Sequence, residues 1–226
     1  MCSSDLHDVR AAQDKVTGFT ANFTKHERIK GELHDAETMQ MKCRYSPMGV
    51  YFKWTRGSKQ GREALYSEGN YENKVVGHQF PLPITVKLVP NSPDALKESL
   101  RPITMAGFRN MMDAMIKITE QAKKAGDLKI FCINDDRYHG RPAYCIIRML
   151  PRKPDYPYFL LYAFIDKELM APVHIATFDW DDNLVSSYDF DNVRLNTPLA
   201  DKDFDTDNPN YSYPKDLFNI FGGKKK

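Results

Sequence analysis

The sequence lacks any apolar run of the roughly 20 residues that a membrane-spanning helix needs. It also lacks an excess of one charge, because 32 Lys and Arg residues face 30 Asp and Glu residues and the net charge is +2. Nucleic-acid-binding proteins usually carry a strong basic excess, so we expect no nucleic-acid partner. The 226 residues suffice for one sizeable core but hardly for two. We therefore expect a single domain over residues 1–226.

The short motifs that identify common enzyme classes are also missing. There is no Gly-x-Ser-x-Gly elbow, no phosphate-binding loop, no Gly-x-Gly-x-x-Gly and no His-Glu-x-x-His. The six histidines never fall at metal-ligand spacing, and His174 alternates with apolar residues as a structural histidine on a strand does. We expect no enzyme activity, no catalytic residue, no metal site and no cofactor.

The acidic segment 201–208 superficially matches a calcium-binding loop. Counting from Asp201, such a loop requires Gly at the sixth position and a bidentate Glu at the twelfth, and this sequence has Thr206 and Ser212 there. We interpret the segment as a connection whose Asp and Asn side chains cap turns.

Two stretches have apolar residues three and four positions apart, as amphipathic helices do. The first begins at Leu6 and predicts a helix over 6–25, most strongly up to Gly18. The second predicts a helix over 102–125, because Pro102 suits the first turn of a helix and Gly126 ends the pattern.

Short runs in which apolar and polar residues alternate fill most of the rest of the chain, separated by turn-rich breaks. This pattern predicts an antiparallel meander and hence a mainly β (α+β) fold. On the run from Thr38, Met39 and Met41 share the apolar face, and on the next run Phe52 and Trp54 do so. The end of the chain, 217–226, is predicted to be a flexible tail.

The cysteines suggest two covalent features. Cys132 and Cys145 flank a predicted hairpin turn centred near Tyr138 and His139, which places them opposite each other. A disulfide then forms if they occupy the closer, non-hydrogen-bonded type of pair. The alternative is two buried thiols that never bond. Cys2 matches the position of a lipid anchor in bacterial lipoproteins, and otherwise is an exposed thiol near the terminus.

The segment 42–62 carries basic residues and no acidic residue. Its basic residues are Lys42, Arg44, Lys53, Arg56, Lys59 and Arg62. They alternate with apolar residues and so share one face of the predicted sheet. This face either is solvated and partly neutralised by the Asp-rich end of the chain, or attracts an anionic headgroup or an acidic partner.

Several segments together resemble a known bacterial family. They are 19–28, 39–44 with Pro47, 50–54, 61–66 and 165–172, followed by Leu195-Asn196, Asp203-Phe204-Asp205 and Asn208-Pro209-Asn210-Tyr211. The family is domain of unknown function 1571, whose members look like LolA and LolB. The match spans roughly Val16 to Tyr213, and the final segment is its most distinctive part.

The resemblance implies an exported protein that is periplasmic or lipid-anchored in the cell envelope, without a transmembrane segment. It implies a half-open β-barrel, in which helices cover a curved antiparallel sheet. LolA-like proteins hold the acyl chains of lipoproteins or other lipids between the sheet and the helices. The expected partner is therefore a lipid or a lipoprotein acyl chain, with an envelope protein as a further partner.

On this interpretation the sheet and the second helix line a ligand cavity. The expected wall and lid residues are Met39, Met41, Phe52, Trp54, Phe108, Met111, Met112 and Met115. Met is suited to a site that accepts flexible chains. The alternative is that these residues fill a solid core, in which case the chain is a structural or interaction protein of the envelope that binds no lipid.

Overall fold

The computed structural model describes residues 3–79 and 81–214. The predicted lipid anchor at Cys2 and the predicted tail at 217–226 lie outside the described residues. Contacts divide the chain into two compact units made of interleaved segments. Unit 1 comprises the residues up to Val16, Thr24–Ala36 and Met105–Asp191, and unit 2 comprises Thr17–Phe23, Glu37–Thr104 and the segment from Asn192 onward. The single domain over 1–226 stays a prediction.

Two α-helices and twelve strands form the regular structure of the described residues. The helices are α1 (Ser3–Asp14) and α2 (Phe108–Lys124). The first strands are β1 (Gly18–Ile29), β2 (Glu32–Leu33), β3 (Glu37–Tyr45), β4 (Met48–Trp54), β5 (Glu63–Ser67), β6 (Val75–Gln79) and β7 (Ile84–Leu88). The later strands are β8 (Lys129–Tyr138), β9 (Arg141–Met149), β10 (Leu160–Asp166), β11 (Ala171–Phe178) and β12 (Leu184–Leu195).

The strands follow the order β7-β6-β5-β4-β3-β1-β12-β11-β10-β9-β8, and β2 pairs with β1. Consecutive strands from β3 to β7 and from β8 to β12 pair antiparallel, as a meander does. The order is open, because β7 and β8 stand at its two ends. The prediction of a mainly β fold with an antiparallel sheet and two helices is confirmed.

The first helix is shorter than predicted. The helix expected over 6–25 ends at Asp14, and the chain continues as strand β1 from Gly18. Phe19, Ala21 and Phe23 are buried and alternate with less buried residues, which is the two-residue period of a strand. Phe19 and Phe23 lie four positions apart, a spacing that fits both the 3.6-residue period of a helix and the two-residue period of a strand. Pairing with neighbouring strands selects the strand.

The second helix begins at Phe108 rather than at Pro102. Gly107 precedes it with φ of 101°, a conformation that favours glycine, and Ile103–Met105 form a separate 3-10 turn. The predicted end is confirmed, because the helix ends at Lys124 and Gly126 follows with φ of 72°.

In unit 1 the two helices pack against each other, and the side chain of Arg109 on α2 holds the end of α1. Arg109 donates hydrogen bonds to the carbonyl oxygens of Gln13 (3.0 Å), Asp14 (3.0 Å) and Val16 (2.6 Å). The last carbonyls of a helix have no partner within the helix, so these bonds satisfy groups that otherwise need water. Arg10 on α1 also donates to Asp113 on α2 at 2.6 Å.

The hairpin predicted around the later cysteines is confirmed as β8 and β9, but its predicted register is wrong. Cys132 pairs with Ile146 and Cys145 pairs with Ile133, so the two cysteine side chains project from opposite faces. The two-residue turn lies at His139-Gly140, one position later than predicted, and the register shifts between Ile133 and Asp136. The predicted disulfide is not formed, and Cys145 is a thiol.

Neither helix of the described segments has the length and hydropathy that crossing a bilayer requires.

Candidate functional site

Strands β3 and β4 build one continuous apolar face in unit 2. Met39 pairs with Trp54 and Met41 pairs with Phe52 in the antiparallel register. Directly paired residues project to the same side of a sheet, so the four residues predicted as the sheet wall lie on one face. Met39 and Met41 are 1% and 2% exposed, whereas Phe52 and Trp54 are half-buried.

The two half-buried aromatics of this face contact a third ring. Phe23 of β1 stacks against Phe52 with ring centroids 5.9 Å apart, and Trp54 meets Phe52 edge-on at 6.3 Å. The indole N–H of Trp54 donates to Glu37 at 2.7 Å, and Lys59 forms an ion pair with the same carboxylate. The polar edge of the indole is thus satisfied, and its ring contributes apolar surface to the face.

The predicted lid residues form one buried stripe on α2 in unit 1. Phe108, Met111, Met112 and Met115 are all buried, and Phe108 packs against Phe190 of β12 with centroids 4.9 Å apart. The eight predicted cavity residues therefore form two groups, four in each unit. Ligand binding by these groups stays a prediction.

A buried arginine under α2 is a feature that the sequence analysis missed. Arg148 of β9 is 1% exposed, and its guanidinium donates to the carbonyl oxygen of Met115 at 2.9 Å and to the hydroxyl of Thr119 at 2.7 Å. These bonds attach the middle of α2 to the sheet of unit 1. The only sequence signal is that Arg148 follows the apolar run Cys145-Ile146-Ile147 within strand β9.

The Asn-Pro-x-Tyr segment, the most distinctive part of the resemblance, has a structural role in unit 2. Tyr211 stacks on Tyr51 of β4 with ring centroids 3.9 Å apart, and its hydroxyl donates to the carbonyl oxygen of Asp203 at 2.7 Å. Tyr51 pairs with Leu65, on the face opposite to Phe52. The segment therefore covers the face of this sheet that does not carry the predicted wall.

Five of the six basic residues of segment 42–62 are paired with carboxylates inside unit 2, and the sixth, Arg56, is exposed. Lys42 contacts Asp203 at 2.6 Å, Arg44 contacts Asp201 at 2.8 Å, Lys53 contacts Glu63 at 3.3 Å, Lys59 contacts Glu98 at 3.0 Å and Arg62 contacts Glu98 at 2.5 Å. The acidic segment 201–208 thus supplies two of the partners, as expected of neutralisation by the Asp-rich end of the chain, but Tyr211 from that end covers part of this face. Glu63 is buried, whereas the other pairs are partly exposed and add little stability. Together the pairs reduce the positive charge that an anionic ligand would be attracted to.

The open antiparallel sheet, the two helices and the apolar face of β3 and β4 define a mainly β protein. The chain belongs to the family described as protein of unknown function DUF1571, whose family model matches residues 16–213. The resemblance inferred from the sequence is confirmed. A comparison with curated protein sequences finds no significant match.

Three solved structures share the fold. An uncharacterized conserved protein from Thermus thermophilus is 11% identical, with a TM-score of 0.54 and 95% of each chain covered. The Mycobacterium tuberculosis lipoprotein LppX is 9% identical, with a TM-score of 0.52, and the match covers 88% of this chain and 96% of LppX. A chain of the Pseudomonas aeruginosa MucA/MucB complex is 14% identical, with a TM-score of 0.52, and the match covers 90% of this chain and 60% of that chain.

Proposed function

We propose that this chain binds a hydrophobic ligand, a lipid or the acyl chains of a lipoprotein, and acts as a carrier in the bacterial envelope. The observation that supports this most directly is the apolar face of β3 and β4, on which Phe52 and Trp54 keep part of their ring surface exposed. Exposed apolar surface costs roughly 25 cal/mol per Å², so a ligand that covers two large rings gains binding energy from them. No catalytic residue belongs to this proposal.

The methionines of the buried α2 stripe in unit 1 are proposed as further contacts for acyl chains. Three of the four residues of this stripe are methionines, namely Met111, Met112 and Met115. Their unbranched, polarizable side chains can repack around ligands of different shape. The fold likeness to the lipoprotein LppX supports an envelope protein of this kind. Periplasmic location and a lipid anchor at Cys2 belong to the same proposal.

Titration of the purified chain with a fluorescent fatty acid tests the proposal. We expect saturable binding, displaced by unlabelled fatty acid. The variant Phe52→Ala should bind roughly tenfold or more weakly, because a buried Phe contact contributes about 1.5–3 kcal/mol. Phe131→Ala is the matched control, since this ring lies on edge strand β8 and is 55% exposed. Wild-type protein that binds no fatty acid, or a cooperatively folded Phe52→Ala variant with unchanged affinity, contradicts the proposal.

A second candidate function is protein binding without any lipid. The observation that favours it is the fold shared with a chain of the MucA/MucB complex, in which one protein is bound to another. Affinity purification from envelope extract, followed by mass spectrometry of the protein and lipid fractions, separates the two functions. A stoichiometric protein partner with no lipid supports this second function, and co-purified lipid supports the carrier.

A further inference from the structure

A group of histidine and aspartate side chains lies in unit 1, and none of its residues belongs to the predicted wall or lid. His139 stands in the turn between β8 and β9, and Asp189 and Asp191 belong to β12. The two aspartates are two positions apart on a strand, so their side chains project to the same side. One ligand atom of each of the three residues lies within 4.8 Å of the others.

The two carboxylates converge on one imidazole ring. Asp191 Oδ1 lies 3.4 Å from His139 Nδ1, and Asp189 Oδ2 lies 4.0 Å from His139 Nε2. Within the described segments, the ion-pair partners of Asp189 and Asp191 are the histidines His139 and His174, and neither carboxylate pairs with Lys or Arg. The group therefore carries two negative charges without a permanent cation to balance them.

Two further side chains hold Asp189 in place. The Tyr138 hydroxyl donates to Asp189 Oδ2, and His174 Nδ1 lies 3.1 Å from the same oxygen and 2.9 Å from the Tyr138 hydroxyl. Burial opposes ionisation of Asp189, but the hydrogen bonds from His174 and Tyr138 outweigh it, so the pKa of this carboxyl lies below its ordinary value. Burial and the bond to Asp189 raise the pKa of Tyr138, so the phenol stays a donor.

Hydrogen bonds of this kind commonly orient the carboxylates and imidazoles that bind metals. We propose that His139, Asp189 and Asp191 bind one divalent first-row transition cation such as Zn²⁺, and that Tyr138 and His174 position Asp189. One imidazole nitrogen and two carboxylates form a mixed donor set that suits such cations, whereas Mg²⁺ and Ca²⁺ prefer oxygen ligands alone. Three protein ligands leave a coordination position for water.

This site departs from the expectation of no metal site, which rested on the spacing of the histidines along the sequence. His139 lies some fifty positions from the two aspartates, and only strand pairing through β9, β10 and β11 brings the turn next to β12. The inference is independent of lipid binding, because none of its residues belongs to the apolar face.

Calorimetric titration of metal-free protein with Zn²⁺ tests the site, and visible absorption of the Co²⁺ form reports its ligands. We expect one Zn²⁺ per chain. His139→Ala and Asp191→Asn should each abolish this binding, and both residues are 52% exposed, so the variants should fold normally. Tyr138→Phe keeps the ring stacking on Phe164 and should weaken binding about 10–100-fold.

The matched control is His7→Ala. His7 and Glu120 form an exposed pair with 2.9 Å between Nε2 and Oε1, but that pair lacks the third ligand atom of the proposed site. Zn²⁺ affinity should not change in this variant. No Zn²⁺ binding by the wild type, binding retained by His139→Ala and Asp191→Asn, or thiolate charge-transfer absorption in the Co²⁺ form would each overturn the proposal.

Discussion

The guanidinium of Arg148 donates a 2.6 Å hydrogen bond to the hydroxyl of Tyr158 in the interior of unit 1. Among the described residues the acceptors of Arg148 are neutral oxygens, the Tyr158 ring lies 5.5 Å from the guanidinium carbon, and the buried Nε has no hydrogen-bond partner. Desolvation consequently lowers the pKa of Arg148. A buried charge held in this way depends on each of its hydrogen bonds.

Tyr158→Phe should therefore destabilise the protein more than the loss of a single oxygen atom suggests. The change removes one oxygen and leaves a buried, charged N–H without its acceptor, which costs about 1.5–3 kcal/mol of unfolding free energy. Urea denaturation measures the loss. Tyr162→Phe is the control, because Tyr162 lies half-buried on the neighbouring strand β10 and its hydroxyl makes no hydrogen bond among the described residues. Equal stability of the two variants would contradict this account of Arg148.

Gly49 on β4 leaves room for the ring of Phe204. A Cβ atom at position 49 would lie 2.6 Å from Cγ of Phe204, which is 1% exposed and has little space to move. Gly49→Ala should lower the unfolding free energy by about 1–3 kcal/mol through overpacking. In the control Gly77→Ala, the new Cβ meets only a methyl group of Val86 at 3.3 Å, so a smaller loss is expected. Chemical denaturation compares the two, and a reversed order would rule out this contact as the cause.

Asp166 at the end of β10 should make stability depend on acid pH. Burial opposes its ionisation, but hydrogen bonds from Arg141 and from the N–H groups of Leu169 and Glu168 outweigh it and hold the pKa below its ordinary value of 3.8. A carboxyl with a lowered folded-state pKa stabilises the fold above the unfolded-state pKa, and this contribution disappears as pH falls through the folded-state pKa.

The measurement is the unfolding free energy of Asp166→Asn against pH. We expect the wild type to lose stability below about pH 4, and the variant to lose less over the same range, because it lacks the titrating group. Exposed Asp155, changed to Asn, serves as the control and should follow the wild-type curve. Parallel curves for the wild type and Asp166→Asn would refute the assignment.

The three described cysteines should differ in their rates of alkylation. Cys43 and Cys145 are 0% and 3% exposed, whereas Cys132 is partly exposed. Burial also raises the pKa of the Cys145 thiol, which lowers its thiolate fraction. Timed iodoacetamide labelling of native protein, read by peptide mass spectrometry, should modify Cys132 first. A peptide in which Cys132 and Cys145 are linked would show that the hairpin register differs from that of the structure.

The alternation of apolar and polar residues predicted strands such as β3, because β3 buries one face. Met39, Met41, Phe52 and Trp54 fall on one side for that reason, and strand pairing needs only to bring the two runs together. The same reasoning failed at Phe19 and Phe23, whose four-residue spacing also fits a helix, and at the cysteine hairpin, where a one-residue difference in the turn reverses the face of every side chain.

What the sequence determined by itself is therefore the local part of the structure: the strand runs, the end of α2 at Gly126, the turn chemistry of the acidic segment and the family. Tertiary structure decided everything that depends on residues far apart in the chain. It placed Arg148 under Met115 and Thr119, and it joined His139 to Asp189 and Asp191. The physical reason is that backbone periodicity acts over a few residues, whereas ion pairs and metal-ligand groups form wherever strand pairing brings side chains within a few ångströms.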